Sequence, residues 1–433
     1  MHEFCYRDGV LCCEGVSLAD LASAHGTPLY VYSAKTIRDH YRRLDQALAG
    51  LDHRVCFAMK ANSNLAVLDL LAREGAGFDI VSGGELFRVL KAGGRADACT
   101  FAGVGKTREE IAYALEQGVY SFNVESEAEL EFINEVAGAA GKKAPVALRV
   151  NPDVDAQTHK YISTGKSHNK FGIGIDRILG VYAEAAKLPH LQIRGIQTHI
   201  GSQILETTPF VEALRKLVPI VEELKKSYGI EFFSIGGGVG IIYRGSLESG
   251  APDWWQRADA DGGKRIGFDE YAQAVVPLLQ PLGLKILLEP GRSLVGNAGA
   301  LLATVLYVKR TPAKTFVITD AGMNDLIRPA LYEGHHEIVP LKEPAAGASR
   351  GPVDVVGPVC ESGDFFAQDR ELPDVSAGDR LALLSAGAYG FVMASNYNSR
   401  RLPAEILVDG AKAQVVRERQ SWDDLIAGEK VVQ

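Results

Sequence analysis

The chain has 433 residues and a formal charge of −8 at pH 7, long enough for two or three domains with a large core. Hydrophobic residues make up 46% and charged residues 23%, which excludes a disordered or fibrous chain, and the acidic balance argues against nucleic acid as a partner. No apolar run approaches the roughly 18 residues of a membrane span, and the opening MHEFCYRDGV lacks the basic-then-apolar design of a signal peptide, so the sequence predicts no membrane partner and a cytoplasmic location. Six cysteines (Cys5, Cys12, Cys13, Cys56, Cys99, Cys360) form no CxxC pair and no metal-ligand spacing, so neither a disulfide framework nor a metal site is expected.

In chain order, FCYRDGVLCC reads as a hairpin turning at Asp8-Gly9, and residues 1–30 are expected to join a C-terminal β domain. From Val55 a rhythm of short β-rich runs and longer amphipathic segments sets in, the signature of βα units around a parallel sheet. The predicted strands are VCFAMK (55–60), GFDIVS (77–82), TFAGV (100–104), YSFNV (120–124), PVALRVN (145–151), IRGIQTH (193–199), EFFSI (231–235) and KILLE (285–289). Between them, segments such as NLAVLDLLAREG and TREEIAYALEQG repeat apolar residues at helical spacing, with Thr107 and Ser126 as predicted N-caps. Eight such units match a (β/α)8 barrel over 31–292; an open doubly wound sheet is the alternative. Beyond residue 293 the long helices stop, and runs such as GALLATVLYVKR, TFVITDAG and EILVDG predict a separate all-β domain over 293–433.

In a barrel, functional side chains belong where strands end and βα loops begin. Lys60, Asp79, Ser82, Asn151, His199, Gly236-Gly237-Gly238, Glu289 and Arg292 all fall at such ends. Any one has a plain reading: Lys60 as a strand-end lysine with a solvated head, Glu289 as an ion pair with Arg292, the glycines as a loop, His199 as a hydrogen-bonded histidine. Together they converge on one ligand. A glycine run lets backbone N–H groups approach a phosphate, and a lysine amine shielded from water becomes a nucleophile for an aldehyde. Phosphate and aldehyde on one cofactor mean pyridoxal 5′-phosphate, and a carboxylate such as Glu289 then keeps the pyridine nitrogen protonated.

AMKAN at 58–62, FDIVSGGE at 78–85, HIGSQ at 199–203, GGGVG at 236–240, EPGRSLV at 289–295, DAGMNDLIRPALY at 320–332, CESGD at 360–364 and AGAYGFVMASNYNSR at 386–400 carry a resemblance over nearly the whole chain. The sequence resembles the diaminopimelate decarboxylases, of the fold-type III, alanine-racemase-like barrel group. The resemblance implies that Lys60 carries the cofactor, Asp79 lies in its site, His199 stacks on the ring, and Ser202, Gly236, Gly237 and Gly238 hold the phosphate. It also implies Glu289 at the pyridine nitrogen, with Gly291 and Arg292 beside it. Arg292, Arg328 and Tyr332 would bind the far carboxylate of meso-diaminopimelate and Glu361 its far ammonium; Tyr389 would touch cofactor and substrate, and Cys360 would act as an acid. Two arginines suit a remote carboxylate; a surface ion pair with Asp325 is the plain alternative for Arg328. The resemblance further implies a homodimer in which each active site is built from two chains. Decarboxylases of carboxynorspermidine, ornithine, arginine or lysine are the neighbouring readings, and a racemase or a non-catalytic cofactor-binding protein the remoter ones. Two segments stand out against the family pattern: a long polar stretch over 241–267 containing Trp254 and Trp255, and a Gly/Ser/Thr/Lys-rich loop over 153–172 with the composition of a lid.

Overall fold

The computed structural model describes residues 2–155, 170–251 and 266–432. The expected lid loop lies almost wholly outside the described residues, as do Trp254 and Trp255. The chain divides into two compact units, one formed by 38–241 with 266–294, the other by 2–37, 242–251 and 295–432.

The first unit is a closed parallel barrel. Its strands are β1 (His53–Ala58), β2 (Gly77–Ile80), β3 (Cys99–Phe101), β4 (Ser121–Val124), β5 (Ala144–Asn151), β6 (Leu191–Thr198), β7 (Phe232–Ser234) and β8 (Lys285–Leu288). Each pairs in parallel with the next, β4 joins β5 through Phe122↔Val146, and β8 closes on β1 through Ile286↔His53. Strand residues are buried: all four residues of Gly77–Ile80 are, including Asp79. Inside, Cys56, Ala147, Phe232 and Leu287 pack together, a close filling in which Gly195 is required, since a Cβ there would lie 2.6 Å from the Phe232 ring. The connecting helices begin where the sequence marks them. Thr107 and Glu110 form a reciprocal capping box at Arg108–Gln117, and Ser126 caps Glu127–Ala139.

Strand ends come earlier than periodicity alone predicts. β1 stops at Ala58, whose N–H turns to the Pro290 carbonyl at 2.9 Å, so Lys60 stands in a single 3-10 turn, Met59–Ala61, and not in the strand. His199 and Glu289 likewise follow the last residues of β6 and β8. Ladder bonds run out at the mouth, and apolar character continues past them.

The second unit is sheet-rich. Its main sheet runs Phe365–Pro373, Arg350–Val356, Thr315–Thr319, Gly299–Arg310, Leu29–Ser33, Ala404–Asp409, Lys412–Arg417, with Arg380–Leu383 pairing Gly299–Arg310 and Ile338–Pro340. Short helices at Leu18–His25 and Arg328–Tyr332 accompany it. The N-terminal hairpin, Phe4–Arg7 with Val10–Cys13, turns on Asp8 and Gly9 at φ 50° and 76°, and its Phe4, Leu11 and Cys13 pack with Leu29, Val31, Leu302 and Ile406 in one core. Phe365–Pro373 escaped the sequence reading because Gln368-Asp369-Arg370-Glu371 interrupts its apolar run; it lies at the sheet's edge, where one face meets water. Residues 242–251, within the span expected for the barrel, group with this unit: Asn297 donates to the Ile242 carbonyl at 2.9 Å, and the Leu247 N–H donates to Glu337 at 2.8 Å.

Candidate active site

The C-terminal ends of β1 to β8 bring together most of the barrel residues expected at a site. Lys60 Nζ lies 3.2 Å from Asp79 Oδ2. Asp79 comes from the middle of β2, paired in register with Ala58 and Thr100, and is buried, whereas the Lys60 side chain is 42% exposed. The expectation of a water-shielded amine is therefore corrected. The 3-10 turn carries Lys60 beyond the packed strand, so its amine is held by a carboxylate and remains reachable. The other oxygen, Asp79 Oδ1, is buried and has no hydrogen-bond partner among the described residues.

Glu289 is a buried acid of the mouth with three side-chain donors. Ser234 Oγ donates to Oε1 at 2.7 Å, Asn123 Nδ2 to the same oxygen at 3.3 Å, and Gln197 Nε2 to Oε2 at 2.9 Å. Burial pushes its pKa up to about 7, the nearby Asp79 carboxylate adding to the effect and the Ser234 bond opposing it. These three donors went unremarked in the sequence. Their signal was a polar residue inside a strand whose neighbours are apolar: Asn123 in SFNV, Gln197 in IRGIQT, Ser234 in FFS. Glu85, in the helix after β2, is also pushed up to about 7, chiefly by burial.

Between β7 and β8 the glycine run is a packing requirement first. A Cβ on Gly236 would sit 2.4 Å from the Thr198 carbonyl, on Gly237 2.2 Å from that of Glu289, and on Gly238 2.5 Å from that of Gly201. Gly236 and Gly238 also have φ of 70° and 114°, which side chains other than glycine's rarely tolerate. Gly291 makes a looser approach, 3.1 Å to the Ala58 carbonyl. The Gly237 N–H points to His199 Nδ1 at 3.3 Å, so that nitrogen accepts and the neutral ring's proton belongs on Nε2. Burial, Arg149 and Lys60, in that order, drive the His199 pKa well below its usual range. Arg149 is itself anchored by Glu125 at 2.8 Å and lies 4.9 Å from the Phe171 ring centroid. Arg292 is buried and donates to Ser202 Oγ at 3.2 Å.

The remaining expected residues belong to the sheet-rich unit. Arg328 opens the helix Arg328–Tyr332, is buried, and bonds to His336; Asp325 instead accepts from the Gly322 N–H. Tyr332 is partly exposed. Cys360 and Glu361 are exposed, the Cys360 N–H donating to Asn398 at 2.9 Å. Tyr389 holds a left-handed φ of 55°, a strained choice for an aromatic residue. Among the described residues no cluster of His, Cys, Asp and Glu could hold a metal, and no helix is long and apolar enough to cross a membrane.

The donor set fits pyridoxal phosphate: an accessible amine on a carboxylate, a buried acid oxygen with no partner among the described residues, a glycine turn of close backbone approach, and an enclosed glutamate across the mouth. Such a barrel defines a pyridoxal-dependent enzyme. Residues 34–296 match the family model described as the pyridoxal binding domain of pyridoxal-dependent decarboxylases. The diaminopimelate decarboxylase of Pseudomonas aeruginosa is 51% identical over 433 residues, all of both chains. Among solved structures, diaminopimelate decarboxylase from M. jannaschii in complex with L-lysine matches with TM-score 0.90 and 38% identity over 100% of this chain and 99% of that one. The Helicobacter pylori enzyme with L-lysine matches with TM-score 0.86 and 40% identity over 94% and 98%. The chain belongs to the diaminopimelate decarboxylase family of pyridoxal-dependent decarboxylases.

Proposed function

We propose that this protein decarboxylates meso-diaminopimelate to L-lysine and CO2, the last step of lysine biosynthesis, with pyridoxal phosphate as cofactor. The observation that carries the reading is the pairing, at one barrel mouth, of the Lys60–Asp79 contact with the triply bonded Glu289, on a chain alike throughout to diaminopimelate decarboxylases. When bound, pyridoxal phosphate supplies an aldehyde that joins an amine and a pyridine ring that draws electrons from a breaking Cα bond.

The chain's own groups divide the remaining work. Lys60 Nζ is the amine that holds the cofactor, and Asp79 orients it. Glu289, with its donors fixed on three strands, would hold a proton at the ring nitrogen; a cation opposite it would offset the burial that raises its own pKa. His199, kept a neutral imidazole by burial and Arg149, would cover the ring. Ser202 and Gly236, Gly237 and Gly238, with Gly291 and Arg292 alongside, hold the phosphate. Arg292, Arg328 and Tyr332 bind the substrate's far carboxylate and Glu361 its far ammonium. Tyr389 would touch both cofactor and substrate, and Cys360 would be the proton donor toward Cα.

We further propose a cytoplasmic homodimer with sites shared between chains. Supporting it, Cys360 and Glu361 are exposed on the single chain, the condition of residues that complete a neighbour's site, and all six thiols are unpaired, as a reducing compartment keeps them. The test is CO2 release from meso-diaminopimelate, lysine, ornithine and arginine in parallel. Release from diaminopimelate alone is expected; release from ornithine, arginine or lysine at a comparable rate would refute the substrate assignment.

A further inference from the structure

The polar stretch after β7 contributes one described aromatic residue, Tyr243, to a layered assembly in the sheet-rich unit. The Arg328 guanidinium lies 4.6 Å from the centroid of the Tyr243 ring, and the same ring meets His336 edge-on, with centroids 5.5 Å apart and planes at 80°. Arg328 Nη1 is 2.7 Å from His336 Nε2, and His336 Nδ1 is 2.8 Å from the Leu384 carbonyl. A guanidinium only donates and a carbonyl only accepts. His336 is therefore neutral, with its proton on Nδ1, and its Nε2 lone pair is directed at Arg328. The local chain turns tightly here: Glu333 ends the short helix at φ 52°, and a Cβ on Gly334 would come within 3.2 Å of the Arg328 carbonyl. His336 is fully buried and Arg328 is 6% exposed.

The character of His336 and Tyr243 as partners is the informative feature. A carboxylate acceptor would fix the guanidinium plane but cancel much of its charge, in competition with any incoming carboxylate. A neutral imidazole acceptor and an aromatic face fix the same plane without themselves cancelling its charge. We propose that His336 is a positioning residue for substrate selection: together with Tyr243 it sets the guanidinium of Arg328 in the orientation that reads the substrate's far carboxylate. This rests on the assignment of Arg328 to that carboxylate.

The test compares two competitive inhibitors of CO2 release by the holoenzyme. L-lysine keeps the far carboxylate, and 1,5-diaminopentane lacks it. His336→Leu is expected to raise the inhibition constant of L-lysine, and the KM of diaminopimelate, roughly tenfold, the worth of one hydrogen bond to a charged group, while the constant for 1,5-diaminopentane stays within about twofold. His336→Gln, whose amide both accepts and donates, recovers most of the loss. Tyr243→Leu keeps the imidazole and its Leu384 bond, and moves the lysine-to-diaminopentane ratio the same way by roughly threefold. Equal weakening of both inhibitors, or of neither, in His336→Leu and Tyr243→Leu overturns the proposal, because a merely structural histidine acts on both ligands alike. Arg328→Ala is the companion measurement: if it too fails to separate the two inhibitors, the assignment of Arg328 itself is at fault.

Discussion

Replacing Glu289 with glutamine separates the chemistry of this acid from its structural place. The amide oxygen takes the position of Oε1 and keeps the bonds from Ser234 and Asn123, leaving the new amide nitrogen against Gln197 Nε2, 2.9 Å from the atom it replaces. That donor-against-donor contact is relieved by turning the Gln197 amide, whose oxygen has no partner among the described residues. Near pH 5, where the folded-state carboxyl is itself largely protonated, stability should then change by only ~1 kcal/mol. Activity is different. The charge-assisted bond proposed between this carboxylate and the ring nitrogen, about 1.5–3 kcal/mol, would be lost with the charge, so kcat for CO2 release should fall about ten- to a hundredfold while cofactor absorption is retained.

The same variant has a pH signature in the cofactor-free protein. The folded-state pKa of Glu289 is raised, from 4.5 to about 7, mainly by burial. Between those values the folded chain binds more protons than the unfolded one, so wild-type stability declines as pH rises through that window. Glu289→Gln has no proton to lose there. Its melting temperature relative to wild type should climb from pH 5 to pH 8. An unchanged kcat would refute the role at the ring nitrogen, and a flat difference in melting temperature would refute the burial argument.

Lys60→Ala is expected to abolish the cofactor's visible absorption and the activity together, measured by absorbance and CO2 release; retention of both would remove Lys60 from the centre of the site. Gly237→Ala would force a Cβ to within 2.2 Å of the Glu289 carbonyl and should displace Glu289, with loss of activity and a melting temperature lowered by several degrees, as a clash of about 1–3 kcal/mol implies; an unaltered melting curve would count against the packing requirement. Mixing inactive Lys60→Ala and Cys360→Ala chains under conditions of subunit exchange should return about a quarter of wild-type activity, since half the dimers then hold one intact site. Exchange seen by mass without recovered activity would rule out sites shared between chains.

The alternation of strand and helix signals, the caps at Thr107 and Ser126, and the placement of Lys60, His199 and Glu289 at strand ends were legible in the sequence, because each depends on residues near one another along the chain. Local chemistry also announced the Asp8-Gly9 turn. What the tertiary structure alone decided is who meets whom. Asn123, Gln197 and Ser234 lie on three different strands and become one hydrogen-bond set only when the barrel closes and turns them toward Glu289. The Gly236-Gly237-Gly238 run was visible, but the reason for it, contact with the carbonyls of Thr198, Glu289 and Gly201, belongs to loops brought together from distant strands. Lys60 was visible too, yet its partner Asp79 and its exposure follow from where the β1 ladder ends. The tautomer of His336 is likewise a tertiary fact, written by a guanidinium on one side and a carbonyl 48 residues away on the other. Periodicity records which face of an element is buried; burial alone does not say which polar atoms share the space, because hydrogen-bond partners are chosen by position after the chain has folded.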